Sequence, residues 1–107
     1  MPTRQSTQQF DSQSDIFKAM AHPTRLRILH YLRNGERCVC EIYPALDLEQ
    51  SNISRHLAIL RKEGILAMRK EGLNVYYRVN DPKIFNIMDL CSDIFDYYWR
   101  NRFSNET

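Results

Sequence analysis

Residues Gln50-Ser51-Asn52-Ile53-Ser54-Arg55-His56-Leu57-Ala58-Ile59-Leu60-Arg61-Lys62-Glu63, closed by Gly64, decide how this chain is read. Ile53, Leu57 and Leu60 recur at i, i+4 and i+7, the period of a helix with one buried side. At about 100° per residue, Ser51, Arg55, Ala58 and Lys62 fall on the opposite side, flanked by Asn52 and Ser54. That outer face is small, polar and basic. Such a face fits a DNA major groove, where side chains near the N-terminus of a reading helix meet base edges. Arg55 is the candidate guanine contact. Gln50, Ser51, Asn52 and Ser54 are candidates for bases or phosphates, and the helix N-terminus itself favours a phosphate. His56 sits at the edge of the buried side, placed for a hydrogen bond to backbone or phosphate.

Upstream, a short helix is expected over about 38–46, made irregular by Pro44. A turn at 47–49 then joins it to the first stretch in helix-turn-helix proportions. Downstream, strand formers flank the turn formers Glu71-Gly72-Leu73-Asn74, which reads as a β-hairpin. Arg69, Lys70 and Asn74 put basic and polar groups near its tip, as a wing beside the reading helix requires. Before these elements, Ile16, Phe17 and Met20 mark a helix starting at 11–14. His22-Pro23 breaks it, and a second helix runs from Pro23 to Asn34-Gly35. After Asp81-Pro82, a last helix carries apolar residues over too wide an arc for one core, from Ile84 to Trp99. The fold class expected is mainly α with a small β-hairpin, a winged helix-turn-helix in the order α-α-α-α-β-β-α. Its surplus apolar surface on the first and last helices predicts a homodimer. The domain is read as residues 13–101, with a flexible tail over 1–12 and another over 102–107.

The 107 residues suffice for one domain. Net charge is only +2, but residues 51–80 carry six basic and two acidic side chains, against balance over 1–50 and an acidic excess over 81–107. The polyanion-facing surface is therefore the middle third. No apolar run reaches the ~20 residues of a membrane span. The first 14 residues are polar, which argues against a secretory signal and for the cytoplasm. No nucleophile with a base and orienting group, no Gly-rich phosphate loop and no facing carboxylate pair occurs, so an enzyme is not expected.

Four segments together resemble the ArsR/SmtB family of metal-responsive repressors: Ala21 to Leu29, Cys38-Val39-Cys40-Glu41-Ile42, Gln50 to Leu57, and Lys70 to Tyr77. The resemblance covers about residues 13–100. It implies a homodimer that binds double-stranded operator DNA, represses its own operon and leaves the DNA when an effector binds.

The sensing chemistry falls on cysteines. There are three, Cys38, Cys40 and Cys91, an odd number that argues against a disulfide framework. Thiolates suit soft ions, and in this family a Cys-x-Cys at the start of the third helix resembles arsenic- and cadmium-type sensors. The effector expected is arsenite, antimonite or a soft divalent metal at Cys38 and Cys40, with no resident cofactor. On a regular helix, residues i and i+2 point apart, so one ion gathers both sulfurs only if the helix start unwinds or bends. The closest arsenic-type pattern has a further Cys where this chain has Tyr43, which leaves Cys91 as a candidate third ligand. A zinc-type site on the last helix is rejected, because Asp89, Asp93 and Asp96 have no His beside them. The alternative is a redox or persulfide sensor linking Cys38 or Cys40 to Cys91.

Overall fold

A computed structural model describes residues 2–106, with side chains described over 7–102. Among the described residues, five α-helices and three strands follow in the order α1 (Pro2–Met20), α2 (Pro23–Tyr31), β1 (Arg37–Cys38), α3 (Val39–Ala45), α4 (Gln50–Lys62), β2 (Leu66–Glu71), β3 (Asn74–Val79) and α5 (Lys83–Glu106), with a 3-10 turn at Leu32–Asn34 after α2.

The break between α1 and α2 is local chemistry. His22 precedes proline and takes the extended backbone that proline imposes, with φ −155° and ψ 134°. Its Nδ1 accepts the Thr24 N–H at 3.1 Å, so it caps the helix that Pro23 begins. At the far end of α4, Gly64 adopts φ 83°. This lets its N–H reach the Arg61 carbonyl at 2.9 Å while the Ile65 N–H reaches the Leu60 carbonyl at 3.0 Å. That pair of bonds is a Schellman cap, and a left-handed residue is what it needs. The chain then turns directly into β2.

β2 and β3 pair antiparallel from Leu66↔Val79 to Glu71↔Asn74. Gly72, at φ 62°, takes the first position of a two-residue turn, where a primed hairpin turn calls for glycine. β1 adds a third strand, in the sheet order β1-β3-β2, with Arg37 opposite Tyr77 and Cys38 opposite Tyr76.

The core lies between α2, α3, α4 and the base of the sheet. Ile28, Leu29, Leu32, Ile42, Ile53, Leu57, Leu60 and Leu66 are all fully buried there. The three apolar positions expected on α4 are thus its buried side. The termini differ from the sequence reading. α1 runs back to Pro2, because Gln, Arg and Ser follow without an internal Gly or Pro to stop the helix. α5 likewise continues to Glu106, through the stretch read as a C-terminal tail. The third helix is shorter than expected, since Cys38 belongs to β1 and caps α3 rather than lying inside it.

α1 and α5 leave much apolar surface uncovered in the protomer. Phe10, Phe17, Leu90, Ile94, Phe95, Tyr97, Tyr98 and Trp99 are all exposed. Among the described residues, no helix is long and apolar enough to cross a membrane.

Candidate functional site

α4 presents the face read from its sequence. Gln50, Ser51, Ser54, Arg55, Ala58 and Lys62 are exposed and Asn52 is half-buried. Ser51 to Arg55 cluster at the N-terminal end, where base contacts are made. Lys62 lies eleven residues beyond Ser51, about 16 Å along the axis, at the opposite end of the helix.

His56 is turned to the buried side of α4, at whose edge the sequence reading put it. It is buried and its Nδ1 accepts the Arg25 Nε–H at 3.2 Å. Its ring lies 4.4 Å from the His22 ring. Burial holds its pKa below the usual histidine value, aided by the charges of His22, Arg25 and Arg55. The same Arg25 guanidinium donates from Nη1 to the Ala19 carbonyl at 3.0 Å and to the Lys18 carbonyl at 3.3 Å. One side chain thus joins the end of α1 to the middle of α4. His56 and Arg25 support the reading helix from behind.

The hairpin carries Lys70 and Asn74 exposed at its end, with Leu73 fully exposed at the tip. Arg69 is exposed too but is already engaged. Its Nη2 donates to Glu36 at 2.7 Å, its Nε to the same carboxylate at 3.1 Å, and its Nη1 to Glu71 at 2.7 Å. Its guanidinium lies 4.5 Å from the centre of the Tyr76 ring. Arg69 holds the Glu36 carboxyl below its ordinary pKa. A phosphate must compete with two carboxylates for Arg69, whereas Lys70 makes no such double ion pair. Glu36 was not singled out in the sequence, because its partner lies 33 residues away.

Cys38 and Cys40 sit where β1 passes into α3. Cys38 has extended backbone, φ −68° and ψ 142°, and acts as the N-cap. Its Sγ accepts the Cys40 N–H at 3.3 Å, and its own N–H donates to Glu41 Oε1 at 3.2 Å. The Cα atoms are 5.1 Å apart and the two sulfurs are joined as a disulfide. This corrects the expectation that the helix must unwind or bend to bring them together. The i, i+2 divergence applies between two helical residues, and Cys38 is not helical. Cys38 is buried at 4 % exposure, whereas Cys40 is open to solvent. Cys91 is a free, exposed cysteine on α5. Among the described residues, no group of three His, Cys, Asp or Glu side chains is arranged to hold a metal ion.

Residues 22–67, from the cap of α2 to the start of the wing, match the family model described as bacterial regulatory protein, arsR family. The arsenical resistance operon repressor of Escherichia coli K12 is 44% identical over 86 residues, 79% of this chain and 70% of that protein. The chain belongs to the arsR family. Its members are DNA-binding transcriptional regulators rather than enzymes. Two solved structures extend the match over the arsR-family fold. The homodimeric winged helix-turn-helix DNA-binding domain (fragment 1–100) from Mycobacterium bovis superposes with TM-score 0.79 at 28% identity, covering 91% of this chain and 90% of that one. Reduced HlyU from Vibrio cholerae N16961 gives 0.73 at 33% identity, covering 85% and 97%.

Proposed function

We propose that this arsR-family regulator is a homodimeric repressor that binds operator DNA through α4 and the wing and is released when Cys38 and Cys40 bind trivalent arsenic or antimony. The observation that carries the effector reading is the approach of the two sulfurs at the cap of α3. A relative at 44% identity is named for arsenical resistance. In the reduced protein, arsenous acid exchanges two of its hydroxyls for the two thiols, each hydroxyl leaving with a thiol proton. Two As–S bonds form, two waters leave, and the third hydroxyl stays on arsenic. The arsenic stands between the sulfurs and fixes their positions.

The coupling to DNA follows from what else Cys38 does. It is at once the cap of α3 and a residue of β1 paired with Tyr76 of the wing. α3 packs its buried Ile42 into the core shared with Ile53 and Leu57 of α4. Moving the Cys38 sulfur loads the cap, the sheet edge and, through Ile42, the reading helix. The DNA contacts proposed are Gln50, Ser51, Asn52, Ser54 and Arg55 from α4, with Lys62, Lys70 and Asn74 on phosphates. Arg69 joins them only by leaving Glu36.

The dimer reading rests on the exposed aromatic and aliphatic side chains of α1 and α5, and on the homodimeric neighbour. It places one recognition helix on each half-site of a two-fold operator.

The test is a gel shift on a duplex carrying the region upstream of the protein's own gene. Protein reduced with a phosphine is titrated with arsenite, antimonite and cadmium. Release by arsenite or antimonite is expected; retention against all three ends the effector reading, and absence of any salt-sensitive shift ends the DNA reading. A second reading is a thiol redox or persulfide repressor that links Cys38 or Cys40 to Cys91, which is free and exposed. A Cys40–Cys91 polysulfide link after tetrasulfide treatment, found by mass spectrometry, is its mark.

A further inference from the structure

We infer that Cys38 and Cys40 are also an oxidation site whose closure keeps the protein on DNA and makes it unresponsive to arsenite. The inference rests on the arsenite reading of the same pair. Three observations carry it. First, the Cα separation of 5.1 Å lies within the span a disulfide bridges, so the two sulfurs meet on the native backbone. Second, the pair is asymmetric: Cys40 faces solvent while Cys38 is buried behind it. Third, the joined pair coexists with an intact reading head. Cys38 still caps α3, Ile42 remains fully buried, and Ile53, Leu57 and Leu60 keep α4 seated.

The chemistry needs one oxidant, hydrogen peroxide. The exposed Cys40 thiolate attacks one peroxide oxygen; an S–O bond forms, the O–O bond breaks and hydroxide leaves, taking a proton to become water. Cys40 is then a sulfenic acid. The Cys38 thiolate attacks that sulfur; the S–S bond forms, the S–O bond breaks and a second hydroxide leaves as water. Two thiols have lost two electrons and one peroxide has become two waters. A dithiol reverses the reaction by exchange. Arsenic needs two thiolates, and the closed pair offers none. Peroxide thus opposes arsenite at this site instead of mimicking it, with Cys91 left out.

The experiment uses full-length protein carrying Cys91→Ser, in a reduced sample and in one treated with hydrogen peroxide. Each is tested for binding to the upstream duplex with and without arsenite. Mass spectrometry of the peroxide-treated sample is expected to show the loss of two hydrogens, mapped to the peptide holding Cys38 and Cys40. The oxidised protein is expected to bind DNA within about twofold of the reduced one and to hold it in arsenite, while the reduced protein weakens about tenfold or more. Dithiothreitol is expected to restore release. Cys40→Ser, which keeps the Cys38 cap, is expected to hold DNA in arsenite with or without peroxide. The inference is overturned if the oxidised protein leaves DNA without arsenite, if arsenite releases it as readily as the reduced form, or if no disulfide forms. If arsenite fails to release the reduced protein, the effector reading falls, and the claim of arsenite blockade falls with it. The oxidation site is then judged on the mass loss and retained DNA binding alone, and the absence of either overturns that too.

Discussion

Arg55 and His56 are neighbours in sequence with opposite tasks. Arg55 is exposed on the outer face of α4, and its truncation to Ala is expected to cost ~1–3 kcal/mol of operator binding and to relax preference at one base position. Anisotropy titrations over a panel of single-base operator variants check this; an equal loss on every variant reassigns Arg55 to a phosphate. His56 is buried and held below the ordinary histidine pKa, chiefly by its burial. The unfolded chain, with its histidine near 6.5, therefore takes up the proton more readily than the folded one. Stability linked to His56 is full above about pH 6.5 and is lost as pH falls towards and through the lower folded value. Urea midpoints are expected to drop between pH 7.5 and 5, and the drop to be smaller in His56→Gln. Parallel pH profiles for the two proteins would remove His56 as the cause. The cysteine pair was legible in the sequence because its chemistry is rare. The Arg25 bond to His56 and the Glu36 bond to Arg69 were not, since those partners lie 31 and 33 residues away.

Among elements, α4 was readable because thirteen residues give periodicity room to show itself, and its Gly64 stop is written in the chain. β1 has two residues, too few for any period, and exists only because β3 offers it an edge. Missing β1 also hid the geometry of the cysteines, because a residue taken as helical was extended. The wing and the residue leading into β1 are fastened by the Glu36–Arg69 pair across an exposed surface. Removing the carboxylate with Glu36→Gln is expected to free Arg69 for a phosphate. DNA affinity should rise at low salt and its salt slope should steepen by up to about one unit. An unchanged slope means Arg69 stays on Glu71 and takes no part. At the recognition helix, Leu57→Ala empties a fully buried site and is expected to cost ~2–5 kcal/mol in urea unfolding.

The whole molecule is less compact than its length requires. Its Cα radius of gyration is 16.7 Å, against about 13 Å for a compact domain of this size. The excess lies in α1 and α5, which run beyond the core with aromatic side chains in the open. The sequence showed the surplus as an apolar arc on the last helix too wide for one core, but not how far either helix reaches. Replacing Ile94 and Tyr98 with Asp is expected to give monomers in sedimentation at micromolar concentration and to abolish the operator shift while leaving the far-ultraviolet spectrum unchanged. A dimer that persists moves the interface away from the C-terminal half of α5.

The guanidinium of Arg25 touches two carbonyls at the end of α1 and a ring in the middle of α4. In a dimer built on α1 and α5, that makes it a gauge block. There it would set how far each reading helix stands from the two-fold axis, and so the number of base pairs between operator half-sites, about one helical turn of DNA. Arg25→Lys keeps the charge but cannot fill three contacts in one plane. It should broaden the half-site spacings the dimer accepts without changing which bases each half-site prefers, a change in metre rather than vocabulary.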